Sequence, residues 1–183
     1  MHWSKRLASA LILVLPLAAC DALRHQAPGS LVVRDAAVAS VADGAELVLD
    51  IDCRLNGPMS DALEHGIPIT LRVDVRARAT GVDLENRRQV ELRYFPLTRR
   101  YQLRDTGADG VRSFPGYEYL TDALASLRLP LPHSFARLPA GTRLSVEVGL
   151  DHAALPGALR LPAIIAPAWH LSAPEFAWTV AAG

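Results

Sequence analysis

Lysine is all but missing from this chain of 183 residues: Lys5 stands alone, and every other basic side chain is arginine. Net charge is missing as well, because 19 basic residues meet 19 acidic ones. A chain without a basic surplus has no general electrostatic hold on a nucleic-acid backbone, so nucleic acid is not an expected partner. Arginine suits two-pronged recognition of carboxylates and phosphates, yet its excess beside abundant alanine and proline is the composition that GC-rich coding produces unaided. The usual catalytic signatures are absent too. There is no G-x-S-x-G elbow, no H-E-x-x-H, no C-x-x-C and no phosphate loop, which removes the usual support for hydrolase, metalloprotease and nucleotide chemistry. His65, His133, His152 and His170 stand far apart in the sequence, so it names no metal site and no cofactor.

Long apolar runs are confined to the amino terminus. Lys5-Arg6 precede an apolar stretch from Leu7 to Leu17, the layout of a secretory signal peptide. A membrane-spanning helix needs about 20 apolar residues, and this run, closed by Pro16 and then Asp21, reaches about half of that. An A-x-A cleavage site fits poorly, because Leu17 occupies its outer small position. Leu17-Ala18-Ala19-Cys20 instead resembles a bacterial lipoprotein signal: an aliphatic residue, two small residues and a cysteine. The resemblance implies a diacylglyceryl group on the Cys20 sulfur and an acyl group on the new amino terminus. A single chain binds a bilayer reversibly, whereas two or more hold firmly. Asp21 resembles the inner-membrane retention signal of enterobacterial lipoproteins, so the expected place is the periplasmic side of the envelope, at the inner membrane.

Residues 1–19 then form the signal peptide, and 20–30 a lipidated terminus and tether reaching at most about 30 Å. Residues 31–183 are one domain, long enough for a real core. Loss of Lys5 and Arg6 leaves 17 basic residues against 19 acidic ones. With Cys20 acylated, Cys53 has no partner in the chain. It falls in phase with Ala45, Leu47, Leu49 and Ile51 on an apolar face, the place of a core residue.

Strand signals dominate this domain. Leu31 to Val41 and Ala45 to Leu55 flank Asp43-Gly44 as a hairpin. Ser60 to His65 allows one or two helical turns. From Ile67 to Thr80 apolar and polar residues alternate throughout, which predicts a long strand with one dry face. A polar connection over Gly81 to Arg88 leads to a strand from Gln89 to Leu97. Tyr101 to Arg104, Val111 to Phe114 and Leu144 to Leu150 are further strands, and Leu159 to Ile165 and Phe176 to Val180 are short, proline-broken edge candidates. Tyr117, Leu120, Leu124 and Leu127 recur at helical spacing, closed by Pro130. The expectation is a mainly β fold, an immunoglobulin-like antiparallel β-sandwich with one α-helix inserted between strands; a closed barrel is the alternative.

Several phrases carry a second resemblance: Arg93-Tyr94 and Arg100-Tyr101 around a short turn, Leu150-Asp151 followed by Leu155-Pro156 and Leu159-Arg160, and Trp169-His170-Leu171-Ser172 ahead of Trp178. Together, over about Leu31 to Val180, they resemble the bacterial family catalogued as domain of unknown function 4390. That family has no established activity and lends no catalytic residue. Its members are often encoded near a membrane sensor kinase of the nitrogen-regulation type, which implies a role in envelope sensing.

Few residues compete for a site. Asp151-His152 is the one suggestive pair, and Asp151 equally suits a cap for the turn that follows. Asp50 and Asp52 share a strand face with Arg54, where a solvated charge ladder outweighs paired-carboxylate catalysis. Arg72, Arg76 and Arg78, joined by Arg93 if the strands pair, form a candidate cationic stripe facing anionic lipid or glycan, interrupted by Asp74 and Glu91. Trp169 and Trp178 read as core or rim packing. The function expected is a non-catalytic, lipid-anchored envelope protein that binds an envelope protein partner through its sandwich. The alternatives are a carrier or sensor of an apolar ligand and an unrecognised hydrolase.

Overall fold

In the computed structural model, which describes residues 29–180 apart from 43 and 109, the alternating segments become two antiparallel sheets. The strands are β1 (Ser30–Val41), β2 (Gly44–Arg54), β3 (Ile69–Ala79), β4 (Val82–Phe95), β5 (Arg100–Asp105), β6 (Val111–Phe114), β7 (Leu127–Leu131), β8 (Arg143–Leu150) and β9 (Phe176–Thr179). Helix α1 (Gly57–Glu64) follows β2, α2 (Tyr117–Leu124) follows β6 and α3 (Gly157–Ile165) follows β8. One sheet has the order β1-β2-β7 and the other β6-β5-β4-β3-β8-β9. Both sheets are open, with β1, β7, β6 and β9 as edges. The fold is an antiparallel β-sandwich, immunoglobulin-like in having two open sheets over a shared core, with α2 inserted between strands.

Alternation explains the burial. Ile69, Leu71, Val73, Val75 and Ala77 point inward from β3, and Leu47, Leu49 and Ile51 from β2, all at most 1% exposed. Burying a leucine or isoleucine of this kind contributes about 1.5–3 kcal/mol. Met59 and Leu63 of α1, Leu120 and Leu124 of α2 and Phe135 close the same core, and Cys53 lies in it as expected. Trp169 is buried, and Trp178 packs against the core from a half-buried position.

Register fixes two poles. At one, β1 starts opposite the end of β2 (Ser30↔Arg54) and β3 starts opposite the end of β4 (Ile69↔Leu92), with the end of β8 alongside (Leu71↔Leu150). Gly29 ties the two sheets together here. A Cβ at Gly29 would come within 2.8 Å of the Arg54 carbonyl and 2.9 Å of Leu171 Cδ1, and the Leu171 carbonyl accepts from Leu150 N at 2.7 Å. At the other pole lie the β3–β4 turn, where Gly81 has a φ of 77° that favours glycine, and the start of β8.

Three local expectations are corrected. Gly81 to Arg88 is not a connection: β3 and β4 form a tight hairpin paired from Ile69↔Leu92 to Ala79↔Val82. The inward positions of early β4 are Val82, Leu84, Asn86 and Arg88, so the apolar alternation breaks at Asn86 and Arg88 although the strand does not. Leu127 does not end the helix but opens β7, and Pro130 sits inside that strand. Proline is tolerated there because β7 pairs with β2 alone and is an edge. Leu159 to Ile165 is helix, not strand: α3 carries Pro162 in its interior. The described residues thus contain three α-helices where the sequence marked one clearly.

Candidate functional site

The four arginines of the proposed stripe project from the outer face of the six-stranded sheet, since they occupy the strand positions that alternate with the buried ones. On that face Arg72 Nε donates to Asp74 Oδ2 at 2.8 Å, and Arg87 Nε donates to Asp74 Oδ1 at 2.5 Å. Asp74 is itself only 4% exposed. Arg76 Nη1 donates to Glu147 Oε1 at 2.8 Å and lies 3.6 Å from Glu85, while Arg78 lies 3.7 Å from Asp83. Arg93 instead stacks over Phe95 at 5.6 Å from the ring centroid. Three of the four guanidinium groups therefore face carboxylates, and the surface is a checkerboard of charge. Mutual pairing leaves little attraction for a distant anion, because opposite charges a few ångströms apart cancel beyond a Debye length of about 8 Å.

Asp151 is engaged locally. One carboxylate oxygen accepts from Ala153 N at 3.0 Å, capping the 3₁₀ turn His152–Ala154, and the other accepts from Gln89 Nε2 at 2.6 Å. The His152 ring meets the Trp169 carbonyl at 3.2 Å. The carboxylate and the imidazole are thus each committed to a backbone group. Asp50 and Asp52 do share the outer face of β2. Arg34, hydrogen-bonded to Asp52, holds that carboxyl below the ordinary range, with Arg54 adding a smaller effect in the same direction. Burial pushes the Cys53 thiol up to about 12. A group so hard to ionise is a poor nucleophile at neutral pH. Among the described residues no three His, Cys, Asp or Glu side chains gather as metal ligands, and no helix is long and apolar enough to cross a membrane. Cys20 and Asp21 lie outside the described residues.

The family model described as Domain of unknown function (DUF4390) matches residues 29–179. The chain belongs to that family. The match opens one residue before β1 and closes on the last residue of β9, so the DUF4390 unit and the sandwich coincide. No curated protein and no solved structure matches the chain.

Two features of this DUF4390 sandwich went unmarked in the sequence. Between the edge strands β6 and β7, one from each sheet, runs a surface groove of about 340 Å³ whose lining includes Leu103, Val111, Arg112, Leu127 and Pro130. No sequence signal could have found it, because it exists only where two sheet edges approach. The other is an apolar face on α3. Leu161, Ile164 and Ile165 are exposed, while Ala163 is buried. This face was legible as spacing of three and one along a helix; Pro162 and the short length of the run pointed to a strand end instead.

Proposed function

We propose that this DUF4390 protein is a lipid-anchored component of the cell envelope that acts by binding another protein through its sandwich. The observation that supports this reading best is the open flank of the fold. Strands β6 and β7 each pair on one side only, and the groove between them is lined by apolar side chains together with Asp105, Arg112, Ser126 and Arg128. A partner segment in extended conformation can add to such an edge by backbone hydrogen bonding, with alternate side chains entering the groove. Recognition of this kind needs no catalytic group. It also suits a protein held at the envelope by Cys20, on its periplasmic side, where an anchored sandwich meets the exposed domains of membrane proteins such as sensors.

Photo-crosslinking residues at Val111 and Ser126, both exposed on the groove's rim, test the proposal in intact cells. A discrete adduct with one envelope protein at both positions, and none with the crosslinker at Thr80 on the far pole, is the expected result. Recovery of a free monomer from both positions would overturn it.

A further inference from the structure

Among the described residues the four most exposed large apolar side chains are Leu97 at 101%, Ile165 at 79%, Leu161 at 72% and Ile164 at 59%. All four lie at one pole of the sandwich. Leu97 is in the turn joining β4 to β5, closed by the pair Phe95↔Arg100. The other three lie on α3, which follows the end of β8. Helix α1 stands between these two points, touching β4 on one side and the 3₁₀ turn Pro167–Trp169 next to α3 on the other.

Charge in the segments that carry the apolar tips is arranged to match. From Ala153 to Pro174 the sequence holds no acidic residue and a single arginine, Arg160. Leu97 is followed by Arg99 and Arg100 and preceded by Arg93. Apolar tips with arginines beside them are what an amphipathic contact with a phospholipid surface requires: the tips reach the acyl boundary and the guanidinium groups stay among the phosphates. Exposed carboxylates also lie nearby, Asp61 and Glu64 on α1 and Glu118 on α2, and these face water.

The start of the sandwich is at the same pole. Gly29 packs against Leu171, and the adjacent His170 ring meets the Ile164 carbonyl at 3.2 Å, so the chain enters the fold beside the apolar face of α3. Nine residues carry Gly29 from Cys20, a reach of at most about 30 Å. A terminus fixed in a bilayer holds this pole near the membrane, and two apolar points on either side of α1 suit a broad plane better than a narrow partner.

We infer that this pole lies on the bilayer that holds Cys20, with Leu161, Ile164 and Ile165 of α3 and the Leu97 tip entering the interface between headgroups and acyl chains. The inference rests on the acyl-anchor reading above. It adds an orientation: the long axes of the strands stand away from the membrane, and the β6–β7 flank faces sideways, open to a neighbouring membrane protein.

The test uses the full-length chain, processed and acylated in its host, in vesicles of phosphatidylethanolamine and phosphatidylglycerol. An environment-sensitive fluorophore is placed on Ile165→Cys, Leu97→Cys or Thr80→Cys, one at a time; Cys53 is buried and Cys20 carries lipid. Spin-labelled lipids with the label at the headgroup boundary should quench the fluorophores at 165 and 97 severalfold more than the one at 80. If the chain floats with the vesicles and carries acyl groups by mass, yet the fluorophore at 165 is as wet as that at 80, the docking inference fails and the anchor stands. A fluorophore at 165 that is dry but insensitive to spin-labelled lipid would mean that protein covers α3, which also overturns it. A chain without acyl groups on Cys20 removes the anchor, and the docking inference falls with it.

Discussion

At the scale of single residues, titration behaviour is the most direct consequence of burial. Cys53 is moved from its ordinary 9.0 to about 12, and Tyr117 from 10.0 to about 12, in both cases mainly by desolvation. A raised pKa means that the native state keeps its proton at a pH where the unfolded chain has lost it. The corresponding stability is complete below pH 9 and is lost as pH climbs toward about 12. Urea unfolding of the chain across that window should show a falling midpoint, and Cys53→Ala should make the decline shallower. The same thiol should resist alkylation in the native protein and react at once on denaturation. Asp74 is the residue to remove on the outer face, because it accepts from two arginines there while nearly buried. Arg72 and Arg87 are partly exposed and can return to water, so Asp74→Ala should cost about 2 kcal/mol, the loss of charge-assisted hydrogen bonds, measured by chemical denaturation. Single substitutions in the Arg76 and Arg78 pairs, which solvent screens, should leave the denaturation midpoint almost unmoved.

At the scale of elements, β4 is the strand that carries an ion pair on its inward side. Arg88 occupies an inward position opposite Val73 and is bridged to Asp105 of β5, with side-chain exposures of 15% and 12%. Removing one partner strands the other charge in poor solvent, so Arg88→Met should destabilise by about 3 kcal/mol. Replacing both, as Arg88→Met with Asp105→Leu, should recover much of that loss, since two apolar groups carry no unpaired charge. Recovery in the double variant, read from denaturation midpoints, separates an ion-pair effect from simple packing loss. The same pair explains why the start of β4 reads as a polar connection: Asn86 and Arg88 occupy inward positions opposite Val75 and Val73, where a period of two in apolar residues breaks. In α3 the opposite happened. The apolar residues were plain, but their partner was missing, and the proline inside a nine-residue helix argued for a strand end.

At the scale of the whole molecule, the proposed attachment through Cys20 and the architecture meet at the pole where Gly29 enters. Cys20→Ser should abolish incorporation of labelled fatty acid into the chain; persistence of the acyl label on the serine variant would remove the anchor. Much of the sandwich was legible without coordinates, because β3, β6, β8 and β9 each carry a period of two or a turn signal that owes nothing to distant residues. The same holds for Cys53, whose phase with Leu49 and Ile51 places it in the core. The arginine face was legible as to which residues share it, but not as to their pairing, which depends on Glu147 of β8 and Arg87 of β4 arriving alongside. What the sequence determined by itself was the alternation that makes strands, since it is written in neighbours along the chain. Only the tertiary structure decided that β6 and β7 leave an open flank and that Leu97, α3 and the chain entry share one pole, because strand order and register, not local sequence, bring those residues together.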